Sequence, residues 1–429
     1  MSFLSTAPVY IFAQSPENLT LEQAIEIGLR NNYSILISRN EAEISRKNAS
    51  LGNAGFLPSL DVNAGATKTI FDTKQEFANG STSERDGAET TSINGAVALN
   101  WTVFDGFNMF ASRKQFNTLK DMGEINSKIA IETTVAQIIT SYNNIVQQQQ
   151  LLKAFADAIA ISKERTAIAE ANYTIGSGSR LERNRARVDL IADSSAYLRQ
   201  EANWTNSKIE LTRILARESN LQFDITDSIS INRNLSYEKL KNLTLEQNNT
   251  LKLAQKSIRL ARLELQKARS ERFPELSLNI GYDFSRTESD AGFFLFNRNR
   301  RFNYGVTLRM NLFNGLNTAR KEQNAQLSIL NSELEYKDIQ SLVETDLAKV
   351  YKRYQVSLQV VELEQENVRL ARQNVNIALQ QFRLGAITSV DFREVQNNFV
   401  DSETRFIAAQ LEAKLAETEL LQLSGQLVH

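Results

Sequence analysis

The sequence predicts a mixed fold in two tandem copies, each joining long antiparallel strands of membrane-barrel type to a very long coiled-coil hairpin. Three observations predict it. The first is a repeat: of four prolines, Pro58 and Pro274 sit in matching text, Phe56-Leu57-Pro58-Ser59-Leu60 against Arg272-Phe273-Pro274-Glu275-Leu276, 216 residues apart. The register changes once, to 209, where Val103-Phe104-Asp105-Gly106 meets Leu312-Phe313-Asn314-Gly315, and it holds to Tyr173-Thr174-Ile175-Gly176 against Phe382-Arg383-Leu384-Gly385. A period this long means two domain-sized copies, not a solenoid. The second is strict apolar/polar alternation after each of these prolines. The third is a pair of long segments without proline in which apolar residues recur by threes and fours.

Taken in order, 1–17 is a signal-like or disordered N-terminus, with a short apolar run from Phe3 to Ala13 but no Lys or Arg before it. Repeat 1 occupies 18–218. It opens with short helices over 20–31 and 33–51, and Thr20 with Gln23 has the spacing of a capping box. Strands follow at about 59–71 and 92–104, joined by a polar loop at 72–91. In the second of these, Ile93, Gly95, Val97, Leu99, Trp101 and Val103 alternate with polar or small residues. A coiled-coil hairpin then fills 107–217, its seam running through Val135, Ile138, Tyr142, Ile145, Leu152, Ala156 and Ile159. About 65 helical residues at 1.5 Å each reach roughly 100 Å, too far for a compact domain.

An equatorial linker is expected at 219–233, and repeat 2 at 234–429. Its short helices cover 236–247 and 249–271, with Ser236 as a hydroxyl N-cap. Its strands lie at about 275–286 and 301–313, flanking a loop at 286–301, and its coiled-coil hairpin at 316–426. Here the seam is Val343, Leu347, Val350, Tyr354, Val361, Val368, Ala371, Val375, Ala378 and Phe382. Strands of about 10 to 12 alternating residues suit a tilted membrane strand with lipid outside and water inside. The aromatics Trp101, Phe104, Tyr282, Phe284, Phe302 and Tyr304 near strand ends suit interfacial girdles.

Composition removes several function classes. With 49 basic and 50 acidic residues the chain has no basic excess for nucleic acid. It has no cysteine, and its only histidine is His429, so thiolate sites and histidine-based acid–base or metal chemistry are excluded. No phosphate loop, nucleophile constellation or metal cluster is present, and an enzyme is not expected. No cofactor is expected either.

Two short helices, a strand pair, one very long helix and a returning helix, met twice, resemble the TolC family of bacterial outer-membrane efflux channels over nearly the whole chain. The residues that carry this are Leu19-Thr20-Leu21-Glu22-Gln23-Ala24, the strand starts at Pro58 and Pro274, the exits at Phe104-Asp105-Gly106 and Phe313-Asn314-Gly315, and the turns at Gly176 and Gly385. The resemblance implies a homotrimer in the outer membrane. Four strands per chain leave unsatisfied edges in lipid, whereas three chains make a closed barrel of twelve. The hairpins would then form a helical tunnel into the periplasm. It also implies docking on a periplasmic membrane-fusion adaptor coupled to an inner-membrane pump of RND, ABC or MFS type. The expected function is passive export of small molecules such as drugs, toxins or metabolites. A type I protein-secretion duct is the alternative of the same fold, and a soluble elongated coiled-coil scaffold or adaptor the alternative of another class.

The resemblance also implies a pore constriction. Similar channels carry acids one turn apart after the second repeat's glycine turn, here Asp391 and Glu394, with Glu182 as the match in repeat 1. Three copies would line a ring that favours cations. A local role is open beside it, since Thr388 with Asp391 and Ser179 with Glu182 also have capping-box spacing. Tyr173, Gly176, Arg180, Phe382, Arg383 and Gly385 are expected to form the tip turns and the adaptor contact. Arg183, Arg185 and Arg393 crowd the same turns, either pairing with the acids or solvating the surface. The family often has tyrosine where Phe382 stands, in a closing hydrogen bond that phenylalanine cannot make; Tyr173 keeps a hydroxyl.

Overall fold

The computed structural model describes residues 17–217, 223–292 and 294–428. The signal-like segment therefore lies outside the described residues except for Glu17, as does 219–222 of the expected linker. The elements run β1 (Glu17–Asn18), α1 (Leu21–Asn31), α2 (Tyr33–Asn48), β2 (Ser59–Glu76), β3 (Thr82–Asp105), α3 (Asn108–Thr174), α4 (Arg180–Ile214), β4 (Phe223–Asp224), α5 (Tyr237–Gln247), α6 (Asn249–Ser270), β5 (Glu275–Ser289), β6 (Phe296–Arg309), α7 (Asn317–Arg383) and α8 (Ser389–Leu423). The chain divides into two compact units. One holds the sheet with 41–124 and 253–337; the other holds 17–40, 125–252 and 338–428 among the described residues.

In the sheet unit the strand order is β2-β3-β5-β6, antiparallel throughout. One face carries Leu60, Val62, Ile93, Val97, Leu99, Leu278, Ile280, Val306 and Leu308, and the other Asp61, Asn63, Asn94, Asn100, Asn279 and Thr307, as period-2 alternation requires. Apolar side chains on that face are open: Val62 is 72 % exposed, Val306 69 % and Leu308 68 %. A patch of this size is not tolerated in water without a partner. A bulge between Thr102 and Phe104 returns Phe104 to the apolar face, opposite Leu276.

The strands depart from expectation at both ends. The segments 72–91 and 286–301, expected as loops, are mostly strand: β2 pairs with β3 out to Glu76↔Thr82, and β5 with β6 out to Glu288↔Phe296. Both faces there are polar, so periodicity disappears while the backbone ladder continues. In the other direction β6 stops at Arg309, short of the expected 313, because its partner β5 begins at Glu275, directly after Pro274, and offers no further backbone. The chain leaves β3 through Gly106 (φ 66°), where a Cβ would lie 2.4 Å from the Ser270 carbonyl oxygen. Only glycine fits. Beside it, Phe107 packs edge-on against Phe104 and Phe273, with ring centroids 5.0 and 5.8 Å apart.

The helical unit is organised by its seams. Thr20 forms the expected capping box with Gln23, whereas Ser236 makes no side-chain cap bond. One core joins Leu19 and Ala24 to Ile138, Tyr142, Ile145, Leu211 and Phe223; a second joins Leu240 to Leu347, Val350, Tyr354, Ala416 and Leu420. Each large apolar side chain fully buried this way contributes about 1.5–3 kcal/mol. Both buried tyrosines donate to backbone carbonyls of the segments leading into short helices, Tyr142 to Leu19 before α1 and Tyr354 to Asn232 before α5. The α7 seam is buried as expected at Val343, Leu347, Val350, Tyr354, Val361, Val375, Ala378 and Phe382. In α3 it shifts: Ala156 is exposed, and burial passes through Ala154, Ala158, Ser162, Arg165 and Ala169. A second stripe, not anticipated because the outer faces read as polar, lies exposed on α7 and just past it at strict heptad spacing: Val356, Leu363, Leu370, Ile377 and Leu384.

Candidate functional site

The site is built where each long helix turns back. Gly176 (φ 83°) and Gly385 (φ 70°) take the left-handed conformation that ends a helix without a Cβ penalty. The amide of Gly385 donates to the Phe382 carbonyl, and that of Ala386 to Gln381. The next helix starts on a capping box in both places, Ser179 with Glu182 and Thr388 with Asp391.

Glu182, half-buried, and Asp391, exposed, are therefore both spent on their own helix N-termini. Asp391 accepts from the Thr388 hydroxyl at 2.7 Å and from the Thr388 amide at 3.0 Å. The hydroxyl first, then the amide, hold its carboxyl below the usual carboxylate value. Glu394, one turn on, is exposed and has no hydrogen-bond or ion-pair partner among the described residues. It lines a groove of about 690 Å³ between α4 and α8, together with Leu181, Arg185, Val188, Val390 and Arg393.

The other expected site residues lie at or beside the two turns. Phe382 is buried, 7 % exposed, and stacks on Phe392 with centroids 5.5 Å apart, so it is a core residue of the turn with Ile161, Ile168 and Ile387 around it. Tyr173 is half-exposed, with the Arg183 guanidinium 4.3 Å over its ring. Arg183 also reaches Glu170 at 3.7 Å, Arg383 pairs with Glu164, and Arg180 is exposed at the first turn of α4.

Beneath the turns lies a network that sequence reasoning did not anticipate. Arg165 on α3 is 1 % exposed; its Nη2 donates to Asp189 of α4 at 2.5 Å and to Ser389 of α8 at 2.9 Å. Arg393 on α8 grips both oxygens of Asp193 on α4, at 2.8 and 2.9 Å. That pairing raises the Arg393 pKa, and planar two-point contact is what guanidinium does better than ammonium. Ser162 donates to Asp193, and the Gln396 amide donates to Ser162 at 2.8 Å and to the Ala158 carbonyl at 3.1 Å. Three helices are thus tied together by polar groups inside a core. Losing one member of such a buried pair costs several kcal/mol, because the other charge stays desolvated.

A signal for it was present. Ser162 and Arg165 continue the three-and-four steps of the α3 seam, where a charged residue needs a partner. At the 209-residue offset their counterparts are Ala371 and Asn374, so α7 carries no equivalent of these polar seam positions.

The outer membrane efflux protein family matches residues 24–217 and again 240–426. The proteases secretion protein PrtF of Dickeya chrysanthemi is 22 % identical over 405 residues, 87 % of this chain and 82 % of that protein. Among solved structures, the outer membrane protein VceC of Vibrio cholerae superposes with a TM-score of 0.75 at 15 % identity, covering 94 % of this chain and 96 % of its own. The CusC transmembrane channel gives 0.76 at 14 % identity, covering 99 % and 95 %.

Proposed function

The chain belongs to the outer membrane efflux protein family, and from that premise we propose that three copies form a passive duct for small molecules, fed by a periplasmic adaptor and an inner-membrane pump. The single observation that carries this is the sheet: one face apolar and open to contact, the other polar, and two unpaired edges, β2 and β6. Lipid accepts that face but not those edges, and twelve strands from three copies, two repeats in each, would leave none. The heptad stripe from Val356 to Leu384 supports the same assembly, since an exposed seam is a surface awaiting another helix. A soluble scaffold has no use for the apolar sheet face.

In this reading Asp391 and Glu394 of three chains, with Glu182 in support, form the constriction at the periplasmic end. Exposed Ile175, Leu181, Leu384 and Val390 near the turns at Gly176 and Gly385 suit an adaptor contact. The test is conductance of the purified oligomer in planar bilayers. A small, cation-selective conductance is expected, and Asp391→Ala with Glu394→Ala should enlarge it and weaken selectivity. Unchanged values would sink the ring. A protein-secretion duct is the second reading, favoured by the match to PrtF along most of the chain. Export of a reporter protease alongside a matched secretion pump would favour it.

A further inference from the structure

We propose that the apolar face of the sheet carries, at its hairpin-turn end, a site for phosphorylated lipid headgroups of the outer leaflet, formed by Arg286, Arg298 and Arg300. It rests on the reading above that this face meets lipid. The register places the residues. From the helix-facing end, β5 and β6 present Leu276↔Leu308, Leu278↔Val306, Ile280↔Tyr304 and Tyr282↔Phe302, then Phe284↔Arg300, Arg286↔Arg298 and Glu288↔Phe296. All share one face, because each is two residues from the last. From Leu276 to Phe284 the strand covers about 26 Å, the scale of the apolar band of a membrane barrel. Charge therefore begins where that band ends.

The charge is unbalanced. Arg286 pairs with Glu288, and its guanidinium lies 5.5 Å from the Phe296 ring, with Arg298 at 5.8 Å from the same ring. Arg298 and Arg300 are exposed and have no carboxylate partner among the described residues. On the polar face, by contrast, the neighbouring Arg301 is matched by Asp283 at 3.3 Å. Lys68 of β2, on the apolar face, is matched by Glu89 at 2.7 Å. Two unneutralised guanidinium groups above an aromatic belt call for a dianion attached to hydrocarbon. Phosphate takes guanidinium in two-point contact, and acyl chains would lie along Phe302, Tyr304 and Val306. Free phosphate would use only half of this surface.

The test uses the full-length oligomer in non-ionic detergent, with bisphosphorylated lipid A as probe and native mass spectrometry counting bound lipid. Salt-sensitive retention of lipid A over phosphatidylcholine is expected. The Arg298→Gln, Arg300→Gln variant should hold it about tenfold more weakly, Arg298→Lys with Arg300→Lys should fall between, and Arg301→Gln should match the parent. Equal retention by the Gln variant overturns the proposal, as does full displacement of the lipid by millimolar inorganic phosphate. The underlying reading fails separately, if Leu308→Asp still assembles in the outer membrane; the arginine variants should assemble there normally.

Discussion

Capping a helix and charging a pore make different demands on Asp391. As a cap it must be ionised and close to Thr388, and both bonds to Thr388 keep its folded pKa below the ordinary 3.8. A depressed carboxylate contributes its stability above the ordinary value and loses it only as pH falls through the lowered one. Any cation selectivity carried by Asp391 should thus outlast that of a free aspartate on acidification. Arg393 and Asp193 work at the same scale with greater energetic effect, because Asp193 is only 12 % exposed. Asp193→Asn should destabilise the solubilised protein by about 3 kcal/mol, read as a lower denaturation midpoint, while Glu170→Gln, whose partner contact with Arg183 is 3.7 Å and half exposed, should change little. Arg165, Ser162 and Asp193 could not be recognised as partners from spacing, since their contacts join residues 24 to 234 positions apart.

Strands and helices were legible to different degrees. Alternation in a strand records a difference between two environments, so it locates the part of β2, β3, β5 and β6 that has one apolar face and falls silent where both faces are polar. That is why the outer halves of the hairpins read as loops, although hydrogen bonding carries β2 and β3 to Glu76↔Thr82. The faces themselves give a direct prediction. Leu278→Arg or Leu308→Arg should block membrane assembly, at up to about 2 kcal/mol for a basic residue in the apolar band, whereas Asn279→Arg on the opposite face should be tolerated. Outer-membrane fractionation and heat-altered gel mobility check it. Helix ends were legible because glycine and hydroxyl residues act locally: Gly176, Gly385, Ser179 and Thr388 each do what their chemistry allows without distant help.

At the scale of the whole molecule, what the single chain leaves uncovered is as informative as what it buries. Buried seams at Ile138–Tyr142–Ile145 and Leu347–Val350–Tyr354 stabilise each hairpin, whereas the stripe through Leu363, Leu370 and Ile377 is exposed, and the proposed trimer would cover it. Leu370→Lys with Ile377→Lys should leave the chain folded by circular dichroism but reduce the oligomer in native gels or light scattering. An unchanged oligomer would assign that stripe to another partner.

The sequence by itself determined the order and kind of the elements, the sheet's two faces and the turns, because these depend on neighbours within a few residues or on a period. Only the tertiary structure decided the strand lengths, the shift of the α3 seam onto Ser162 and Arg165, and the meeting of Arg393 with Asp193. These depend on which backbone or charge lies across the gap, and at low sequence periodicity nothing in one segment records what another will bring to it.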